Sequence, residues 1–158
     1  MGVCRVLLTI MVCICATATG QSGDWPSYQG GDDSNQYAPY DQISRDNVHR
    51  LEEAWTYHTG DVALNNRSQL QVNPIVIGGR LYGYTPLQRV VCLDAATGEA
   101  IWVFSPYEGN APTNATSVKR GVAYWTDGKE RRILCTALSE LLAIDADTGR
   151  LIESFGTG

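Results

Sequence analysis

Beyond residue 70 the apolar positions of this chain fall into short runs, each closed by glycine or by a polar turn. The runs at 72–77, 80–84, 89–94 and 100–104 are rich in β-branched and aromatic residues and read as four strands. Gly78-Gly79, residues 85–88 and Asp94-Ala95-Ala96-Thr97-Gly98 connect them. After a polar stretch at 105–119 a second set follows at 121–125, 132–136, 141–145 and 151–155. Four antiparallel strands in succession make one blade of a β-propeller. The pattern therefore predicts an all-β chain: a partial propeller of about two four-stranded blades, at 71–104 and 120–155.

The third connection of each set gives the repeat away. Ala143-Ile144-Asp145-Ala146-Asp147-Thr148-Gly149 repeats the Asp-x-x-Thr-Gly pattern, with Gly149 51 positions after Gly98. A period of that size is expected of stacked or radial β units. The residue types suit a tight turn. Asp and Thr side chains accept hydrogen bonds from backbone N–H groups a few positions on, and Gly supplies the left-handed backbone conformation that closes it. Trp102, just after the first turn, is available to pack against the neighbouring blade, whereas the second copy has Glu153 there.

Ahead of the blades, residues 24–60 form a leading segment. Asp24-Trp25-Pro26-Ser27-Tyr28-Gln29-Gly30-Gly31 is too rich in Gly and Pro for regular structure, and its aromatics are expected to pack on the body of the fold. Ile43, Val48, Leu51 and Ala54 have the spacing of one face of a short helix, with Ser44 as its N-cap. A strand is expected near 60, with Trp55 and Tyr57 on one face and Thr56 and His58 on the other. Residues 61–70 read as a loop.

The first twenty residues do not belong to this pattern. Arg5 is their one charge, 6–15 is an apolar run, and Ala16-Thr17-Ala18 fits a small-x-small cleavage site. This is the form of a secretory signal peptide, cut after Ala18 or Gly20, so the mature protein is expected to be periplasmic or secreted. The run is short of the ~20 residues needed to span a bilayer. Three of the five cysteines leave with it. The remaining Cys92 and Cys135 could bridge in an oxidising compartment, but both sit in apolar strand runs, which predicts buried free thiols. Net charge is −5, which argues against a nucleic-acid surface. Arg131-Arg132 reads as a solvated strand end.

At this point the chain resembles a known family. The residues that carry the likeness are Asp24-Trp25-Pro26-Ser27-Tyr28, Gln36-Tyr37-Ala38-Pro39, Gln42-Ile43 with Asn47-Val48 and Leu51, and Ala54-Trp55-Thr56-Tyr57. Asn73-Pro74-Ile75-Val76, Leu93-Asp94-Ala95-Ala96-Thr97-Gly98, Arg120-Gly121-Val122-Ala123-Tyr124-Trp125, Arg131-Arg132-Ile133-Leu134 and Ser154-Phe155-Gly156 continue it. Taken in order, these are similar to the N-terminal part of pyrroloquinoline quinone (PQQ)-dependent alcohol and sugar dehydrogenases. The resemblance implies an eight-bladed propeller with PQQ held above a calcium ion. A carboxylate base would act on the hydroxyl of an alcohol or sugar, hydride would pass to the quinone, and electrons would leave to a cytochrome or a membrane quinone.

Three positions fall where family members line the cofactor. Gln71 stands where many carry a Glu, and Val118 and Arg120 stand where members place a Val and an Arg near PQQ. An Arg suits a cofactor carboxylate through its planar fork of donors. The chain departs from the pattern in two places. Asn114-Ala115 replaces the adjacent cysteines of some relatives, and Leu87 replaces the His of the glucose-oxidising branch. In the family the base and the calcium ligands lie beyond residue 158. The chain is thus expected to be an N-terminal portion of an enzyme, inactive and aggregation-prone alone because further blades are missing.

The alternative is a non-enzymatic secreted propeller serving as a scaffold or binding module. Metal-binding Glu, Asn and Asp in later blades would separate the two. No other chemistry competes. His49 and His58 lie nine positions apart without a cysteine nearby, and there is no Cys-x-x-Cys-His, P-loop or Gly-x-Gly-x-x-Gly. Asn66-Arg67-Ser68 and Asn114-Ala115-Thr116 are glycosylation sequons of meaning only in a eukaryotic secretory pathway.

Overall fold

The computed structural model describes residues 23–31, 33–61, 69–107, 119–137 and 139–156. Residues 1–20, Val118, Asn114-Ala115 and both sequon asparagines lie outside them. The first sheet contains β1 (Ile75–Ile77), β2 (Arg80–Tyr84), β3 (Val90–Asp94) and β4 (Ala100–Phe104) in sequence order, all antiparallel. The second contains β5 (Ala123–Thr126), β6 (Arg131–Ala137) and β7 (Glu140–Asp145), again in order. This is the meander of a propeller blade, complete in the first sheet and three-stranded in the second.

Register explains the core. Ile75 pairs with Tyr82, Tyr82 with Cys92 and Cys92 with Trp102, so these four side chains share one face of the first sheet. Tyr124 pairs with Ile133 and Ile133 with Ile144, which sets the facing row of the second. The two rows close into a single buried cluster that also takes in Val90, Val122 and Cys135. Each fully buried Ile in it contributes about 2 kcal/mol by leaving water. Cys92 and Cys135 are free and buried, as expected. Burial pushes both thiols up to about 11, so they stay protonated and unreactive at neutral pH.

Polar groups lock the sheets together. The Tyr84 hydroxyl accepts from the Thr136 amide (2.7 Å) and donates to the Thr136 carbonyl (3.2 Å). The Ala146 carbonyl accepts from the Trp102 indole at 3.1 Å, Arg80 Nη1 at 3.3 Å and the Tyr82 hydroxyl at 3.4 Å. Asp147 bridges Arg80 on the first sheet (2.8 Å) and Arg131 on the second (2.7 Å). Arg131 is therefore tied to a carboxylate, and Arg132 pairs with Glu130 and lies 4.8 Å over the Trp125 ring.

Four expectations need correction. The fourth strand of the second blade is absent: Leu151 makes one bridge to Ile144, and the chain then turns, with the Phe155 amide donating to the Ile152 carbonyl. Glu153, where the first copy has Trp102, favours extended structure only weakly. The helix near Ser44 shrinks to a turn and a single 3-10 turn at Val48–Arg50, with Ile43, Val48 and Leu51 exposed. Without a surface to cover its apolar stripe, a stretch this short does not hold a helix. No strand forms at 51–60 either, although Trp55 and Tyr57 are half-buried and Thr56 and His58 exposed, as the alternation predicts. At the start of β1, Pro74 offers no N–H, and pairing begins one residue later.

The leading segment packs along the free edge of β1. Trp25 and Val76 exchange backbone hydrogen bonds of 2.7 and 2.9 Å, and Asp24 accepts from the Gly78 amide. Among its other aromatics, Tyr37 and Tyr40 stay exposed.

Candidate functional site

β1, β3, β5 and β7 begin at one end of the sheets, and β2, β4 and β6 finish there. Gln71 precedes β1 at this end and Arg120 precedes β5. The two approaching segments touch: the Asn73 amide donates to the Arg120 carbonyl at 2.6 Å. Gln71 and Arg120 are thus brought to the same end by adjoining backbone, and both are exposed. Gln71 donates to Gln69 at 3.0 Å. The Arg120 guanidinium has no hydrogen-bond or charge partner among the described residues. Its fork of donors is free for an anion, as a cofactor carboxylate requires.

Two features of this end were not foreseen. Tyr28, from the leading segment, lies against Gly121, where an added Cβ would stand 3.5 Å from both the Tyr28 ring and the Asn73 carbonyl. Tyr28 and Gly121 line an open groove of about 350 Å³ with Val122, Leu134 and Leu141. The second feature is what lies beneath the expected turn at 85–89 between β2 and β3, which carries Leu87. Asp61 is buried beneath it and pairs with Arg89 at 3.2 Å. Twenty-eight residues separate that pair, so no local pattern reveals it; an acidic residue directly after Thr59-Gly60 is the nearest signal.

The described residues hold no group of three or more His, Cys, Asp or Glu side chains able to share an ion. The site is an anion-ready end of a partial β-propeller, with cation and amide donors.

The fold defines a partial β-propeller. Residues 25–158 match the family model described as "PQQ: Glucose/ethanol/alcohol dehydrogenase, beta-propeller domain", and the chain belongs to that family. It is 35% identical over 147 residues to the quinoprotein glucose dehydrogenase of Escherichia coli (strain K12), covering 84% of this chain and 18% of that protein. It is 37% identical over 141 residues to the dehydrogenase subunit of the alcohol dehydrogenase (quinone) of Gluconobacter oxydans (strain 621H), covering 87% and 18%. A solved quinohemoprotein alcohol dehydrogenase from Pseudomonas putida HK5 superimposes with a TM-score of 0.67 at 32% identity, over 82% of this chain and 18% of that one. The chain spans about a fifth of the length of the curated relatives it matches.

Proposed function

We propose that this chain supplies the first blades of a PQQ-dependent dehydrogenase acting on an alcohol or a sugar, and that residues 1–20 direct its export. The observation that carries the reading is the meeting of the Gln71 and Arg120 segments at one end of the sheets, with the guanidinium unpaired among the described residues. PQQ, when bound, supplies the hydride-accepting quinone. Arg120 meets a cofactor carboxylate with two parallel N–H donors. Gln71 offers a donor and an acceptor where a Glu would offer only acceptors, so it suits a neutral or anionic neighbour. Calcium and the substrate base fall to residues other than those described here, and electrons pass to a cytochrome or a quinone. The isolated chain therefore binds without turnover.

Equilibrium titration of the full chain with PQQ in calcium, followed by fluorescence of its four tryptophans, tests this. Saturable quenching is expected, weakened roughly tenfold in Arg120→Met, about 1.4 kcal/mol of binding. No quenching in the unmodified chain would overturn the reading.

A further inference from the structure

The 85–89 turn is held far more firmly than a hairpin connection requires. Its own bonds run from the Thr85 amide to the Arg89 carbonyl (2.9 Å) and from the Gln88 amide to the Thr85 carbonyl (2.9 Å). Beneath it lies Asp61, 6% exposed. Asp61 Oδ2 accepts from the Thr85 hydroxyl, from the Leu87 amide at 3.3 Å and from Arg89 Nε at 3.2 Å. Arg89 Nη2 donates to the Thr59 carbonyl at 2.6 Å, closing a ring between 59–61 and 85–89. From the other side, the Tyr107 hydroxyl donates to Gln88 Oε1 at 2.7 Å.

Two features of this arrangement oppose stability. Gln88 is a buried non-glycine residue with φ of 64°. Asp61 Oδ1 is buried and has no hydrogen-bond partner in the described structure. A strained backbone and an unsatisfied carboxylate oxygen persist where surrounding contacts over-determine them, and such places concentrate at working sites. The turn sits at the end where Gln71 and Arg120 meet, and Asp61 pairs with Arg89, leaving Arg120 as the arginine without a partner there among the described residues.

We propose that Asp61 is a positioning residue, a buried carboxylate that fixes the 85–89 turn and with it the face that Leu87 presents toward a flat, anionic, aromatic ligand. The ligand half rests on the function proposed above; the fixing of the turn does not.

Asp61→Asn, Thr85→Val and Thr85→Ser in the full chain test both halves. Amide hydrogen exchange of Leu87 and Arg89 is expected to accelerate at least tenfold in D61N and T85V and to stay near the parent value in T85S, with the Leu93 and Ile133 amides unaffected. PQQ affinity, measured by tryptophan quenching, is expected to fall about tenfold in D61N and T85V and to be retained in T85S. Unchanged exchange at Leu87 overturns the proposal. So does acceleration spread equally over the core amides. A loosened turn with unchanged PQQ affinity overturns the ligand half alone. If the parent chain does not bind PQQ, the proposed function fails while exchange still decides the role of Asp61. Should D61N not fold, the T85V and T85S pair decides, since both leave the Asp61–Arg89 pair in place.

Discussion

The 94–98 and 145–149 turns are built alike and hold different things. In each, the aspartate carboxylate accepts from two following amides, at 2.9 and 2.9 Å for Asp94 and 3.1 and 2.8 Å for Asp145. In each, the glycine has φ near 70° and lies under a tryptophan ring. The indole N–H of that tryptophan donates to the carbonyl of the residue after the aspartate. The first turn receives Trp55 from the leading segment. The second receives Trp102 from β4, and there Tyr82, Arg80 and Arg131 add further bonds from the two sheets. The repeated motif is therefore a receptor for the preceding unit as well as a hairpin closure. What it holds depends on what precedes it: an extended strap in one case, a whole sheet in the other.

The largest test of that contrast removes the two indoles. Trp102→Ala is expected to cost about 3 kcal/mol, since it opens a cavity between the sheets and leaves Tyr82 without its ring partner 5.9 Å away. Trp55→Ala frees only the leading segment and is expected to cost about half as much, an order-of-magnitude figure on the same scale. Guanidinium unfolding of the full chain measures both, and equal losses would break the distinction. Next come Gly98→Ala and Gly149→Ala. An added Cβ would stand 2.5 Å from the Trp55 ring and 2.7 Å from the Trp102 ring. A left-handed L-residue adds roughly 1–2 kcal/mol, so each variant is expected to lose about 2 kcal/mol in the same measurement. A cost under about 0.5 kcal/mol, the range of an ordinary surface change, would mean that the indoles are not seated on the glycines.

The same contrast shows how far the sequence could be read. The Asp-x-x-Thr-Gly repeat announces both turns because their chemistry is local: the aspartate, its amides and the glycine lie within five residues. β2 and β4 fall at their expected limits for the same reason, being bounded by Gly78-Gly79, the Asp94 turn and alternating apolar residues. The second blade misleads because Leu151-Ile152 has strand-like composition, yet a strand there needs something to hold its outer face. At the candidate site, Arg120 and Gln71 were visible through resemblance, and the backbone contact that joins their segments was not. The Asp61–Thr85–Arg89 cluster was invisible, since burial of a carboxylate is a tertiary event with no period or spacing to mark it.

Acid sharpens the comparison more gently. Amides of Thr97 and Ala96 hold the Asp94 carboxyl below its ordinary value of 3.8. The Thr148 hydroxyl, then the Thr148 and Asp147 amides, do so for Asp145. Both folded values lie below the unfolded one, so the stability these groups contribute is complete above the ordinary carboxylate range and is lost as pH falls through it. Thermal midpoints are expected to be flat from pH 7 to about 5 and to decline below about 4. Asp145→Asn should shallow that decline more than Asp94→Asn, because Asp145 accepts an extra bond from the Thr148 hydroxyl at 2.7 Å. Identical acid profiles for the two variants would remove the difference between the turns.

The smallest effect is expected where the repeat fails. Glu153 holds the position of Trp102 in the second copy, and the chain around it has already left the sheet in a turn. Glu153→Trp would restore the residue without supplying a receptor, since the 145–149 turn is filled by Trp102 and the 94–98 turn by Trp55. Stability should therefore move by less than about 0.5 kcal/mol, as for an ordinary surface substitution. A gain above about 1 kcal/mol would mean that the new indole had found a seat on its own sheet; such an interaction is on the scale of a single added aromatic contact. Trp102 would then need no neighbouring turn to be held, and the coupling of one sheet to the next through the Asp-x-x-Thr-Gly motif would have to be given up.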